Sequence, residues 1–269
     1  MIRRLASLFR GPGHPRSRWP SRLLLVRHGE SAGNVARDAA HAAGHARIDI
    51  ADRDADVPLS GRGVEQSRAL GKWIAQRPVL ERPEILLSSP YLRARQTGEL
   101  IAEEGALPPH APPMVVDERL REREFGVLDR LTRAGIVEFF PEQAEIRARL
   151  GKFYHRPPGG ESWCDVILRL RSLVDTLSLH YPGRRVLIVG HEVVVLCLRY
   201  LLEELDEQRI LAINQKGDMA NCGVTEYVYE DGGRSKEGSL KLVRYNETAP
   251  LQDQGAPVTT APDAKVAAR

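Results

Sequence analysis

The sequence predicts an α/β fold with a mostly parallel sheet, and three observations carry that expectation. Short apolar runs at 23–26, 84–88 and 185–189 have the length of buried strands. Longer segments with apolar residues at helical spacing separate and follow them. Two of the runs lead straight into a histidine, as Arg27-His28-Gly29 and as Gly190-His191. That places ionisable groups at the carboxyl ends of strands, where open α/β sheets hold their ligands.

The composition excludes several classes. With 42% apolar and 28% charged residues in 269, the chain has ordinary globular content and can bury a sizeable core. A net charge of +3 gives no reason to expect specific nucleic-acid binding. Cys164, Cys197 and Cys222 are widely spaced and form no CxxC pair. This argues against a disulfide framework and a zinc site, and fits a reducing, cytoplasmic setting. No apolar run reaches the roughly 18 residues of a membrane span.

Residues 1–21 contain five arginines, Arg3, Arg4, Arg10, Arg16 and Arg18, with no acid. Gly-Pro-Gly-His-Pro and Trp19-Pro20 forbid a long helix there. The segment reads as a flexible basic arm; its Arg-rich composition also suits organellar targeting or contact with an anionic surface. After the first strand, 35–57 is rich in Ala, His and Asp. His41 and His45 share a helix face but lack a third clustered ligand, so no metal site is expected.

Ser60 is a candidate N-cap for a helix carrying Val64, Leu70, Trp73 and Ile74 on one face. Another helix follows the second strand, over about 94–104, and places Arg93 at its start. Residues 105–160 read as a small lid: a Pro-rich connection, a dense charge run around Glu122, and a helical stretch broken at Pro141. A long helix over about 163–181 is stopped by Pro182-Gly183, and an apolar helix follows over 193–204. Segments 224–229 and 240–245 read as an antiparallel hairpin. From 247 to 269, Pro, Ala, Thr and Gln occur without periodicity, which reads as a disordered tail.

If the three strands are neighbours, Arg27, His28, Arg93 and His191 converge on one point. Two guanidinium groups and two imidazoles suit a dianion, since guanidinium pairs bidentately with phosphate oxygens. An imidazole unprotonated at one nitrogen can attack phosphorus, and Glu122 is a candidate proton donor to a leaving oxygen.

These residues resemble a known family. Leu25-Val26-Arg27-His28-Gly29-Glu30-Ser31 with Asn34, Pro58-Leu59-Ser60 with Gly63 and Gln66, and Ser89-Pro90 with Arg93, Gln96 and Thr97 occur in the order of the histidine phosphatase superfamily. So do Leu120-Arg121-Glu122 with Phe125-Gly126, Gly160-Glu161-Ser162, and Gly190-His191. The likeness covers about 22–230. It implies a three-layer α/β/α sandwich of the phosphoglycerate mutase-like type, with one domain over 22–246. It implies that His28 becomes phosphohistidine and that Arg27, Arg93 and His191 hold the phosphoryl group. Glu122 is implied as proton donor and Asn34 as a phosphate contact, with Ser60 and Gly61 as further substrate-binding positions. No cofactor or metal is implied, because cationic side chains take the place of magnesium.

Within the family, the short stretch from Glu122 to Gly160 and the lack of an Arg-Arg pair in 123–159 favour a phosphatase over a mutase. A mutase and a catalytically weak phosphate-binding module are the alternatives. Glu192 departs from the glycine many members have after the second histidine, and an inward carboxylate there would repel a dianion. The expected partner is a small phosphorylated substrate, with no transmembrane contact and a homodimer as a possible assembly.

Overall fold

The computed structural model describes residues 18–105, 107, 113–232 and 238–260. In chain order the elements are β1 (Arg22–Arg27), α1 (Ala32–Ala42), α2 (Gly61–Gln76), β2 (Ile85–Ser88), α3 (Leu92–Glu104) and β3 (Val115–Val116). There follow α4 (Arg133–Phe139), α5 (Pro141–Tyr154), α6 (Trp163–His180), β4 (Arg185–Gly190) and α7 (Glu192–Leu202). The last are α8 (Glu207–Gln215), β5 (Val224–Glu230), β6 (Ser239–Glu247) and α9 (Ala249–Gln252).

The four apolar side chains of β1 are all fully buried, because helices cover both faces of the sheet. Alternation sorts them. Leu23 and Leu25 pack with Leu170 and Leu173 of α6 and Val194 of α7. Leu24 and Val26 pack with Leu70 and Ile74 of α2 and Ile101 of α3. Each such buried side chain stabilises the fold by about 1.5–3 kcal/mol. The result is the expected three-layer α/β/α sandwich.

The sheet order is β3-β2-β4-β1-β5-β6. The first four strands are parallel, and β5 and β6 add an antiparallel hairpin at the β1 edge. Register matters more than order for the site. Arg27 of β1 lies opposite Gly190 of β4, and Ser88 of β2 lies opposite Val189. The strands therefore stop level, and His28, Ser89 and His191 emerge side by side.

Gly29 and Gly63 show why the turn after β1 can lie against α2. A Cβ on Gly29 would come within 2.6 Å of the Gly63 carbonyl, and one on Gly63 would overlap the Glu30 carbonyl. Ser60 caps α2 by accepting from the Gly63 N–H at 3.0 Å. Pro141 opens α5 and separates it from α4, as its missing N–H requires.

The structure revises the boundaries at both ends. Residues 1–17 of the expected basic arm lie outside the described residues, but Trp19 packs on the core and the Ser21 N–H donates to the Arg184 carbonyl. Residues 247–260 are not a structureless tail. They finish β6, form α9, bury Leu251 and bridge Thr260 to Ala220. Residues 261–269 lie outside the described residues. Helix α8, capped by Asp206, was not anticipated, because only Ile210 of it is buried and no stripe marks it. Among the described residues, no helix is long and apolar enough to cross a membrane.

Candidate active site

A cavity opens above the carboxyl ends of β1, β2 and β4. Arg27, His28, Asn34, Arg93 and Glu122 all line it. They come from four different stretches of sequence. Arg27 ends β1 and His28 follows it; Asn34 lies in the first turn of α1, Arg93 in that of α3, and Glu122 in the connection before α4. Ser31 fixes the start of α1 through a capping box, its hydroxyl accepting from the Asn34 N–H while the Asn34 side chain accepts from the Ser31 N–H.

The hydrogen bonds of His28 assign its tautomer. Nδ1 lies 2.7 Å from the Gly29 carbonyl, which can only accept, so Nδ1 carries the proton. Arg93 Nε donates to Nε2 at 3.3 Å, so Nε2 presents a lone pair. Burial, then the Arg93 and Arg27 cations, hold this imidazole well below its usual range. His28 is therefore neutral at neutral pH.

His191 lies behind His28 rather than in the cavity wall, with ring centroids 5.2 Å apart, edge to face. Ser89 Oγ lies 2.8 Å from its Nε2 and also accepts from the Tyr91 N–H. The Ser89 hydroxyl proton is thus available to Nε2, which puts the ring proton on Nδ1, 3.4 Å from Glu122 Oε2. Burial first, then Arg93 and His28, lower the His191 value well below the usual range. Glu122 is steadied from behind: Arg121 and Arg169 grip Glu161, whose other oxygen accepts from the Glu124 N–H. Ser162 caps the start of α6, while Glu161 anchors the stretch that bears Glu122.

Glu192 does not point at the cavity. Its side chain is 1% exposed, lies 3.5 Å from Arg27 Nη1 and accepts from Asn214 Nδ2 at 3.4 Å. It acts as counter-ion to Arg27, so the expected repulsion of a dianion is replaced by support for a cation. Arg27 also donates to the Met219 carbonyl.

Ser60 and Gly61, expected to bind substrate, stand outside the cavity wall. The Ser60 hydroxyl is engaged by its capping bond and by Glu30 Oε1 at 2.7 Å, and Gly61 is the first residue of α2. Tyr154 and Arg156 are also outside it, with Arg156 paired to Asp165.

Several residues in the wall escaped sequence reasoning. Arg37 sits one turn beyond Asn34 on α1, an i, i+3 spacing that could have revealed it. Asp54 pairs with Arg93, its Oδ1 3.0 Å from Nη1. Arg130 donates to the carbonyls of Ile50 and Asp52 from a left-handed backbone, φ 57°. Behind the wall, Tyr91 stacks edge to face on His191 and under Arg93 and donates to Glu124 at 2.8 Å. In all, four arginines and four carboxylates line the cavity, so their formal charges balance. Among the described residues, no group of three or more His, Cys, Asp or Glu is arranged to hold a metal ion.

Comparison with known proteins places this geometry. The chain is 31% identical over 216 residues to the bifunctional protein Rv2228c of Mycobacterium tuberculosis, covering 80% of this chain and 52% of that protein. It thus spans about half the length of that curated relative. It is 29% identical over 195 residues to a 2,3-bisphosphoglycerate-dependent phosphoglycerate mutase of Rhizobium meliloti, covering 71% of this chain and 84% of that one. The solved mycobacterial glucosyl-3-phosphoglycerate phosphatase Rv2419c is similar with a TM-score of 0.64 at 28% identity, over 85% of this chain and 99% of that one. A family model matches residues 23–239, which span β1 to the start of β6 and bring every strand-end residue of the cavity with them; by that match the chain belongs to the histidine phosphatase superfamily, branch 1.

Proposed function

We propose that this protein hydrolyses phosphomonoesters through a phosphohistidine at His28. The observation that carries the reading is the tautomer: Nδ1–H is held by the Gly29 carbonyl and Nε2 offers its lone pair beside Arg93. Nε2 attacks phosphorus, and the P–O bond to the leaving group breaks. Glu122 gives that oxygen a proton. Water, deprotonated by Glu122, then attacks the phosphohistidine and releases inorganic phosphate and neutral His28.

Arg27 and Arg93 stabilise the charge of the transferring group, and Asn34 lies in the same wall to contact its oxygens. His191, packed edge to face behind His28, steadies the attacking ring. These fixed dipoles and charges do the electrostatic work, so the reaction proceeds without a metal ion. Hydrolysis is favoured over a mutase by the short connection after Glu122. The cavity wall adds Ile48, Ile50, Leu128 and Leu131 to Arg37 and Arg130, which suits a small ester with both apolar and acidic parts.

The test is turnover of an aryl phosphate and a panel of metabolite phosphates in chelator, by wild type and by His28→Ala. Wild-type turnover that survives chelator, with a loss of at least about a thousandfold in His28→Ala, is expected. Comparable activity in the variant, or no turnover of any ester by the wild type, overturns the reading.

A further inference from the structure

The residues that hold the His28 turn are themselves held by 257–260. Two buried amides clamp the turn. Gln66 Oε1 accepts from the Glu30 N–H at 2.9 Å, and Asn221 Nδ2 donates to the His28 carbonyl at 3.1 Å. Asn221 Nδ2 also approaches Asn34 Oδ1 at 3.4 Å. Gln66 and Asn221 are both fully buried.

An amide can be turned over, exchanging oxygen for nitrogen, unless its partners forbid it. Here the partners meet in one side chain. The Thr259 hydroxyl accepts from Gln66 Nε2 at 2.8 Å and donates to Asn221 Oδ1 at 3.0 Å. With Nε2 engaged there, Gln66 must show its oxygen to Glu30. With Oδ1 engaged there, Asn221 must show its nitrogen to His28. Pro257 reinforces the first choice, its carbonyl accepting from Gln66 Nε2 at 2.9 Å.

The backbone around Asn221 is constrained in the same sense. Its N–H donates to the Thr259 carbonyl at 2.9 Å, and Ala220 is bridged to Thr260. Cys222, next in sequence, sits at φ 55° and donates to the Arg27 carbonyl at 3.0 Å. A non-glycine residue stays in that region only where its surroundings over-determine it.

We infer that Thr259 is a positioning residue for His28: its hydroxyl fixes both amides that set the nucleophile turn. The inference rests on the reading of His28 as the attacking group. It gives residues beyond the 23–239 family match a part in the reaction.

The test compares full-length wild type, Thr259→Val and Thr259→Ser. Valine keeps the branched shape and the backbone contacts and removes only the hydroxyl. Thr259→Val is expected to lower kcat about tenfold with KM little changed, since a displaced reacting group is costly. Thr259→Ser should restore it. A second readout needs no turnover: the His28 ring is titrated by NMR. In Thr259→Val the loosened turn admits water, so the His28 value should rise toward 6.5. The other groups facing His28 remain in both proteins: Arg27 from β1, Arg37 from α1, Arg93 from α3, His191 before α7 and Glu122 from the connection.

An unchanged His28 titration in Thr259→Val overturns the inference, whether or not the melting temperature falls, because that is what a purely structural contact would give. Failure of serine to restore the wild-type titration also overturns it. If the wild type turns over no ester, the phosphatase reading fails, and the titration still decides this point.

Discussion

The floor of the cavity and its outer wall are made differently. The floor comes from residues at the ends of parallel strands and the first turns of helices; Arg27, His28 and Arg93 are each 5% exposed or less, and His191 is fully buried behind them. The outer wall comes from irregular chain at 48–57 and 125–131, where Asp52 and Asp129 are exposed. Both imidazoles lie below, while three of the four carboxylates, Asp52, Asp54 and Asp129, stand above beside Arg130. Burial lowers the imidazole values below. On the proposed reaction, the floor would act on the phosphoryl group whatever it is attached to, and the wall would tell one ester from another. Asp54 joins the two by reaching from the wall to Arg93.

That division can be broken most decisively at Arg93. Arg93→Gln should reduce kcat/KM by about 10²–10³, because a charge on the transferring oxygens and a donor to His28 are lost together. A change below tenfold on an aryl phosphate would mean that the floor does not act as a unit.

Acidification probes the floor together with buried His155, whose imidazole is held down to about 4 by burial and by Arg147. His28 and His191 have folded values below the unfolded value of 6.5. As pH falls through 6.5 the unfolded chain binds protons that the folded one refuses, so stability is lost on the acid side and is full above it. The melting temperature should drop below about pH 6.5 for the wild type. It should drop less for His28→Gln. Equal drops would mean that His28 titrates normally.

The smallest effect concerns the link itself. Arg93 is paired with Asp54, and on the proposed reaction a phosphate reaching Arg93 competes with that carboxylate. Asp54→Asn should tighten inhibition by inorganic phosphate or vanadate several-fold, about 3–10. Weaker inhibition in the variant would assign Asp54 to organising Arg93 instead.

The floor was also the legible part. Apolar runs of four or five residues end in Arg27-His28 and Gly190-His191, and nothing but a parallel sheet brings such ends together. The wall was not legible, because Asp52, Asp54 and Asp129 resemble any solvated loop acid until Arg93 and Arg130 are seen beside them. Glu192 shows a related limit. Its place after His191 was plain, but whether it faced the cavity depended on Arg27, which comes from another strand. The 247–260 segment was misread because it is held by Gln66 and Asn221 through single hydrogen bonds, which leave no periodic trace. The capping serines Ser31, Ser60 and Ser162 were readable as helix starts, and Ser60 was over-read as a ligand.

The level ends of β1 and β4 bear on how the protein comes into being. Arg27 and Gly190 are register partners although most of the domain separates them along the chain. Closing so long a loop is entropically unfavourable and slow compared with forming the helices between. Helical signal can therefore return early in refolding while the pair His28 and His191 is still apart. No piece of the chain that stops before β4 brings His191 to His28, so the proposed chemistry would have no partial form and would report the completed sheet.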